Sequence, residues 1–116
     1  MLKALLAEEK FLEIENSEDL INAFDQQHRI IYWNKTCEDY FGIAKEDALG
    51  KVLEDLLPAI KADERIQLLN RALEGKMIHV LNEELKKNQQ RYEQKLIPLK
   101  NDSGAVVAVL NIVKTT

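Results

Sequence analysis

The chain of 116 residues has a single cysteine and no excess of basic residues, and each shortage excludes a class of protein. One cysteine cannot close an internal disulfide, nor can it supply the paired thiolates of a zinc framework. A chain without disulfides fits a reducing, cytoplasmic compartment. The formal net charge of −4 argues against non-specific nucleic-acid binding, which requires a basic face. We therefore expect no nucleic-acid partner.

Long apolar runs are also missing. No stretch approaches the ~20 apolar residues that a helix needs to cross a bilayer. The N-terminus, M-L-K-A-L-L-A-E-E-K, becomes acidic where a secretory signal peptide would need its cleavage site. We expect a cytoplasmic localisation and no membrane contact by this segment.

The remaining composition is that of one globular domain. Hydrophobic residues make up 46% of the chain, an ordinary share for a soluble protein. A chain of this length buries roughly two-thirds of its unfolded surface, which is enough for a core of its own. We expect an N-terminal amphipathic helix over residues 1–16, acting as a linker or dimerisation segment, and one domain over residues 17–116.

The pattern of apolar and turn residues predicts helices and strands in a definite order. After a helix over residues 2–15 come strands Leu20–Asp25 and Ile30–Trp33, helices Lys35–Phe41, Lys45–Leu49 and Asp63–Glu74, and strands Met77–Lys86, Arg91–Lys100 and Ala105–Lys114. Strands that flank a group of helices can close into one sheet. The order therefore predicts an α+β fold, a five-stranded antiparallel sheet with short helices on one face and the N-terminal amphipathic helix on the other.

Turn and cap residues mark the ends of these elements. His28 is predicted to take the left-handed position in the turn between the first two strands. Asn34 is predicted to cap the helix that follows, which Gly42 ends. Asp63 is predicted to cap the longest helix. Asp25 is expected to bond to turn amides rather than to act as a base.

Residues spaced along the chain follow the pattern of a known family. A strand ends in Asp, a turn leads to Ile-x-Tyr-x-Asn, and a helix ends in Gly. Later come Gly-Lys, a leucine-rich helix ending in Gly, and Pro-Leu-x-x-x-x-Gly before an aliphatic strand. The matching residues are Asp25, Ile30, Tyr32, Asn34, Gly42, Gly50, Lys51, Leu69, Leu73, Gly75, Pro98, Leu99, Gly104 and Val106–Val109. Over about residues 17–114 the chain resembles PAS domains, the sensory modules of bacterial signalling proteins.

The resemblance implies a cytoplasmic PAS sensor or dimerisation module of a signal-transduction protein, of the two-component histidine kinase type or the diguanylate cyclase type. Such a module is not an enzyme. It relays ligand or partner state to an output domain, which is not present in this chain. The family often closes with an Asp-aliphatic-Thr signature that couples to an output helix, whereas this chain finishes V-K-T-T.

By the same resemblance, a small-molecule ligand would bind between the sheet and the long helix. The residues expected to line that pocket are Tyr32, Asn34, Cys37, Phe41, Ile66, Leu69 and Leu73. The alternative is that large side chains fill this space and leave a ligand-free protein–protein interaction module. We predict no catalytic residue. A small α+β enzyme would need paired titratable groups, for which Asp25 and Glu38 are the candidates.

The sequence leaves the cofactor unknown. Flavin-binding relatives carry a reactive cysteine in Gly-x-Asn-Cys-Arg-Phe-Leu-Gln, whereas Cys37 lies in N-K-T-C-E-D-Y and is expected to be a small buried hydrophobe. Haem-binding relatives supply a histidine from the long helix, which here has none. His28 and His79 are expected to be solvated or hydrogen-bonded, and no metal site is predicted.

A homodimer is expected through the N-terminal helix and the outer face of the sheet. The resemblance places Ile30 and Tyr32 towards the core, so that Ile31 and Trp33 face outward. Covering such a tryptophan is worth roughly 2–3 kcal/mol. The interface residues would be Leu2, Leu5, Leu6, Leu12, Ile14, Ile31 and Trp33. The alternative is a helix folded onto its own subunit.

Overall fold

The computed structural model describes residues 2–58, 64–85 and 90–115. Its helices are α1 (Leu2–Leu5), α2 (Glu8–Glu15), α3 (Lys35–Phe41), α4 (Lys45–Ala48), α5 (Leu53–Leu56) and α6 (Glu64–Leu73). Its strands are β1 (Leu20–Asp25), β2 (Ile30–Trp33), β3 (Ile78–Leu85), β4 (Gln90–Lys100) and β5 (Val106–Thr115). Asp63 and most of the turn expected over residues 87–90 lie outside the described residues.

The five strands form one antiparallel sheet in the order β2-β1-β5-β4-β3. The hairpin β1–β2 and the meander β3–β4–β5 are joined where the first strand pairs with the last. This architecture confirms the predicted five-stranded antiparallel sheet. It leaves β2 and β3 as the two edge strands.

The sheet separates two hydrophobic layers. On its inner face, side chains of helices α3, α4, α5 and α6 pack with Phe24 and Val109. On its outer face, Leu2 of α1 and Ile14 of α2 pack with Leu110. Val109 and Leu110 are consecutive residues of β5, and both are at most 1% exposed. The central strand is therefore covered on both faces, as its continuous apolar run indicates.

A β-bulge in β2 overturns one prediction about its faces. Trp33 lies opposite Asn22 and Tyr32 opposite Ala23, but the register then shifts, so that Ile30 lies opposite Phe24. Because Ile31 is the extra residue, the strict alternation of faces is interrupted there.

As a result, Ile30 and Trp33 share the inner face, while Ile31 and Tyr32 share the outer one. The predictions for Ile30 and Ile31 agree with this arrangement, and those for Tyr32 and Trp33 were wrong. The Trp33 side chain is fully buried, and its Nε1 donates a hydrogen bond to the carbonyl oxygen of Ile43 at 3.0 Å.

The N-terminal segment also differs from the prediction of one helix. It forms α1 and α2, separated at Ala7, whose extended backbone (φ −61°, ψ 148°) precedes α2. Leu6 and Ala7 are good helix formers, so local propensity does not explain the break. The break leaves buried residues in both helices, Leu2 and Ile14, packed on the outer face of the sheet.

The turn and cap conformations predicted for His28, Gly42 and Asn34 are confirmed. His28 has a φ of 63° and Gly42 a φ of 68°, so both take the predicted left-handed conformation. Asn34 is completely buried and caps α3, because its Oδ1 accepts a hydrogen bond from the Cys37 amide at 3.0 Å. The same oxygen faces the Ile21 amide at 3.3 Å, and Nδ2 donates to the Asp19 carbonyl at 2.8 Å. One side chain thus fixes the start of α3 to the start of β1.

We expect Asn34→Ala to lower the free energy of unfolding by about 3 kcal/mol, because it leaves two amides and a carbonyl without their partner in a buried site. Urea denaturation measures the loss. Asn101→Ala is the matched control: its Oδ1 accepts from the amides of Ser103 and Ala105, both at 3.1 Å, but the turn is exposed. Water can replace those bonds, so the control should lose about 1 kcal/mol or less. Equal losses would contradict a buried structural role for Asn34.

Candidate functional site

The inner layer is the place where the ligand pocket was predicted. Cys37, Leu69 and Leu73 are buried there, and Phe41 and Ile66 pack against them. Asn34, also buried, caps α3 beside this group. Tyr32, the remaining predicted pocket residue, lies on the opposite face of the sheet because of the bulge. Its assignment to the inner pocket is therefore corrected.

Large side chains meet one another across this layer. The rings of Trp33 and Phe41 have centroids 5.1 Å apart, and Leu53 and Leu96 are also buried in the cluster. Two surface clefts, with volumes of about 230 and 220 Å³, lie on other parts of the domain. In the described residues, the space beneath the helices is occupied by packed side chains.

A row of buried amides crosses the inner face and was not anticipated from the sequence. Gln94 of β4 donates through Nε2 to Oδ1 of Asn111 on β5, and Asn111 donates through Nδ2 to Oδ1 of Asn22 on β1, both at 2.8 Å. All three side chains are at most 8% exposed. Asn22 lies opposite Trp33 in the sheet, which places the row on the inner face. Its amides are the polar groups of this layer that could hydrogen-bond a ligand.

The amino-acid sequence contains a signal for this row of amides. Asn22 and Asn111 each interrupt an apolar strand at a position that alternation assigns to the interior. A buried amide requires hydrogen-bonding partners, so two such residues predict a cross-strand pair once the strands are aligned. Predicting the contact between Asn22 and Asn111 also requires the register of β1 against β5, which the pattern of residues does not provide.

Cys37 is buried as expected and has the environment of an inert thiol. Its Sγ donates to the carbonyl oxygen of Ile21 at 3.2 Å, and burial raises the pKa of the thiol to about 11. A reactive cysteine needs an accessible thiolate with a lowered pKa. The site therefore does not support covalent chemistry at Cys37.

The two histidines have polar partners, as predicted. His28 Nδ1 lies 2.9 Å from Oε1 of Glu54, and its Nε2 lies 2.7 Å from Oδ1 of Asn70, so it links the β1–β2 turn to α5 and α6. His79 Nε2 lies 3.5 Å from Oε1 of Glu93. In the described parts of the chain, no group of three or more His, Cys, Asp or Glu side chains could hold a metal ion.

Asp25 and Glu38, the candidate acid–base pair, each have a structural role. The Asp25 carboxylate accepts hydrogen bonds from the amides of Gln27 and Arg29, both at 2.9 Å, and pairs with Arg29 Nε at 2.8 Å. Burial raises the pKa of Asp25, but these bonds outweigh it and hold the pKa below its usual value. Glu38 Oε2 accepts from the Lys45 amide at 2.9 Å. The two carboxylates therefore support turns and do not form a catalytic pair.

The predicted interface residues lie mostly against their own sheet. Leu2 and Ile14 are 3% exposed, and Leu5, Leu6 and Ile31 are partly buried on the outer layer. Trp33 lies on the inner face. Leu12 alone among these seven is largely exposed, at 52%. The N-terminal helices thus cover their own subunit, and dimerisation stays a prediction.

A family model described as the PAS fold matches residues 14–116. The chain belongs to the PAS family. No curated protein matches its sequence significantly. The family assignment agrees with the fold, the turn residues and the order of elements, and it makes the chain a sensory-type module.

Solved PAS structures share this fold. A sensory box sensor histidine kinase from Vibrio cholerae is 19% identical, with a TM-score of 0.74 over 92% of this chain and 88% of that one. A PAS domain from Colwellia psychrerythraea is 24% identical, with a TM-score of 0.64 over 93% and 94%. The histidine kinase ThkA, solved with the response regulator TrrA, is 26% identical, with a TM-score of 0.67 over 87% of this chain and 29% of that one.

None of the helices in the described segments is long and apolar enough to cross a membrane.

We expect Cys37 in the native protein to resist iodoacetamide at neutral pH and to react readily after unfolding in urea, because only the thiolate attacks.

The raised pKa of Cys37 also makes the stability of the domain depend on pH. Since the unfolded thiol titrates near 9.0 and the folded one near 11, the stabilisation is complete below pH 9 and declines as pH rises through 11.

The measurement is the free energy of unfolding of the wild type and of Cys37→Ser, at neutral pH and at about pH 10.5. Comparing the two proteins cancels the titration of lysines and tyrosines. The wild-type advantage should shrink by about 1–2 kcal/mol at the higher pH. An unchanged difference would contradict the raised pKa.

Proposed function

We propose that this PAS domain is the cytoplasmic sensor module of a bacterial signalling protein of the histidine kinase type, which relays its state to an output domain outside the chain. The observation that carries the proposal is the double covering of β5. Val109 packs beneath the helices of the inner layer, and the neighbouring Leu110 packs against α1 and α2. A change in the inner layer therefore has a short, packed route to the N-terminal helices.

The proposed mechanism of signal relay uses the contact of β5 with both the inner and the outer layer. A ligand or partner that favours a slightly displaced α6 would shift the populations of two arrangements of the sheet, by no more than its difference in affinity for them. The amide row on β1, β5 and β4 offers donors and acceptors to a polar group in that space. Similar folds in histidine kinases support this assignment.

The second candidate is a ligand-free interaction module. The inner layer favours it, because Trp33, Phe41, Leu69 and Leu73 already fill the space beneath the helices. In this case the signal is a partner protein or a change in dimer geometry, and the PAS domain transmits it through the outer layer.

Native mass spectrometry of the purified chain separates these two functions. A sensor with a resident ligand should carry an added mass that denaturation releases. An interaction module should show only the mass of its polypeptide chains. An added mass would contradict the ligand-free alternative, and its absence after growth in several media would contradict the resident-ligand sensor.

We also propose a homodimer formed by α2 and the outer face of the sheet. Leu12 is the apolar residue of α2 that the outer layer does not use. Beyond the N-terminal helices, the outer sheet presents exposed Leu81 on β3 and a cleft lined in part by Glu93, Lys95 and Ile112. A second copy would cover these groups.

If the dimer forms this way, Leu12→Asp should weaken it by about 100-fold or more, because a carboxylate replaces an apolar side chain in the interface. Light scattering after size exclusion reads the mass as a function of concentration. Tyr40→Asp is the control, since Tyr40 is 75% exposed on α3, on the other side of the domain. A wild-type monomer, or a dimer that survives Leu12→Asp, would disprove this interface.

A further inference from the structure

The two edges of the sheet differ in how they are covered. On the β2 side, the Gly50 amide donates to the Ile30 carbonyl oxygen at 2.8 Å, and the Ile30 amide donates to the Lys51 carbonyl oxygen at 2.9 Å. On the opposite side lies β3, which pairs with β4 alone. Within the described residues, no backbone hydrogen bond outside this ladder involves residues 77–85. The β3 edge therefore presents backbone donors and acceptors to a further strand.

The side chains along the β3 edge are apolar and exposed. Ile78 packs against the inner layer, so the alternation of a strand places Met77, His79 and Leu81 on the outer face. Met77 is 63% exposed and Leu81 is 69% exposed. Edge strands are commonly protected from pairing by lysine, by proline or by a bulge. Residues 77–81 contain neither residue type, and the register shift of β3 comes after them.

These apolar residues are arranged symmetrically about His79. Ile78 and Val80 flank it directly, and Met77 and Leu81 are the next residues on either side. When two antiparallel copies of β3 are aligned with His79 opposite itself, Ile78 lies opposite Val80, and Met77 lies opposite Leu81. Each of these cross-strand pairs joins two apolar side chains, whose packing stabilises a sheet. The edge is therefore complementary to a second copy of itself.

We propose that β3 pairs antiparallel with β3 of a second copy of this chain, about a two-fold axis at His79. Because both His79 side chains lie on the outer face, the axis is perpendicular to the sheet, and two five-stranded sheets become one continuous sheet. The pairing covers Met77 and Leu81 and uses the backbone groups of the β3 edge. It is separate from the dimer proposed above, which uses α2 and the face of the sheet, and it does not depend on the sensor function.

The test is disulfide cross-linking of the full chain, with Leu12→Asp present in every variant to remove the outer-face dimer. In His79→Cys the two thiols lie across an antiparallel pair, whose Cα atoms are about 4.5–5.5 Å apart and within the reach of a disulfide. Oxidised glutathione should therefore convert this variant into a covalent dimer, which non-reducing electrophoresis detects. The native Cys37 is buried and does not compete.

Met77→Cys is the matched control. In the proposed register its two copies are about 13 Å apart along the strands, which is too far for a disulfide. Residues 77 and 79 are both exposed, so random collisions would link both variants. We expect His79→Cys to cross-link roughly 10-fold faster than Met77→Cys, because pairing raises the effective concentration of its thiols.

Two further variants test the register and the apolar contact. A mixture of Met77→Cys and Leu81→Cys chains should form a mixed disulfide, since these positions lie opposite each other. Adding Met77→Lys to His79→Cys should slow cross-linking about 10-fold, because a charge then faces Leu81 on an edge strand. The proposal is overturned if His79→Cys does not cross-link, if it does so no faster than Met77→Cys, or if Met77→Lys leaves the rate unchanged.

Discussion

The pairing of β1 with β5 is the contact on which the rest of the structure depends. It brings residues from the two ends of the domain into register, from Leu20 opposite Val113 to Asp25 opposite Ala108. Closing so long a loop costs conformational entropy before any contact is gained. The buried hydrogen bond between Asn22 and Asn111 lies within this pairing, and both hydrophobic layers use the faces that it creates. Without it, the hairpin and the meander would be separate sheets without a common core.

The sequence predicted well those features that depend on local chemistry. β1 and β2 have the predicted bounds, as does α3, because Asn34 and Gly42 act through their own backbone neighbours. Features that depend on distant contacts were missed. The bulge at Ile31 is a feature of the pairing with β1, and the break at Ala7 separates two helices that both pack on the sheet. Neither residue type signals these features.

In the candidate site, too, features that depend on local patterns were predicted and features that depend on distant contacts were not. Burial of Cys37, Leu69 and Leu73 followed from apolar periodicity and from the family resemblance. The amide row required the strand register, which a single sequence does not supply. The surroundings of the Tyr32 side chain, beside Phe11 and Glu15 of α2, depend on which face of β2 the residue occupies, and the resemblance had assigned the opposite face. Family likeness therefore identified the architecture more reliably than the surroundings of a given side chain.

The bulge in β2 limits how the sequence of this strand can change during evolution. Ile30 and Trp33 face the inner layer, and Ile31 and Tyr32 the outer one, only because the strand carries an extra residue. Regular alternation over the same four residues would turn Trp33 towards the N-terminal helices and Tyr32 towards Phe41. Loss of Ile31 would instead leave Ile30, Tyr32 and Trp33 on the faces that they occupy now. The length of this strand and its bulge are therefore expected to change together.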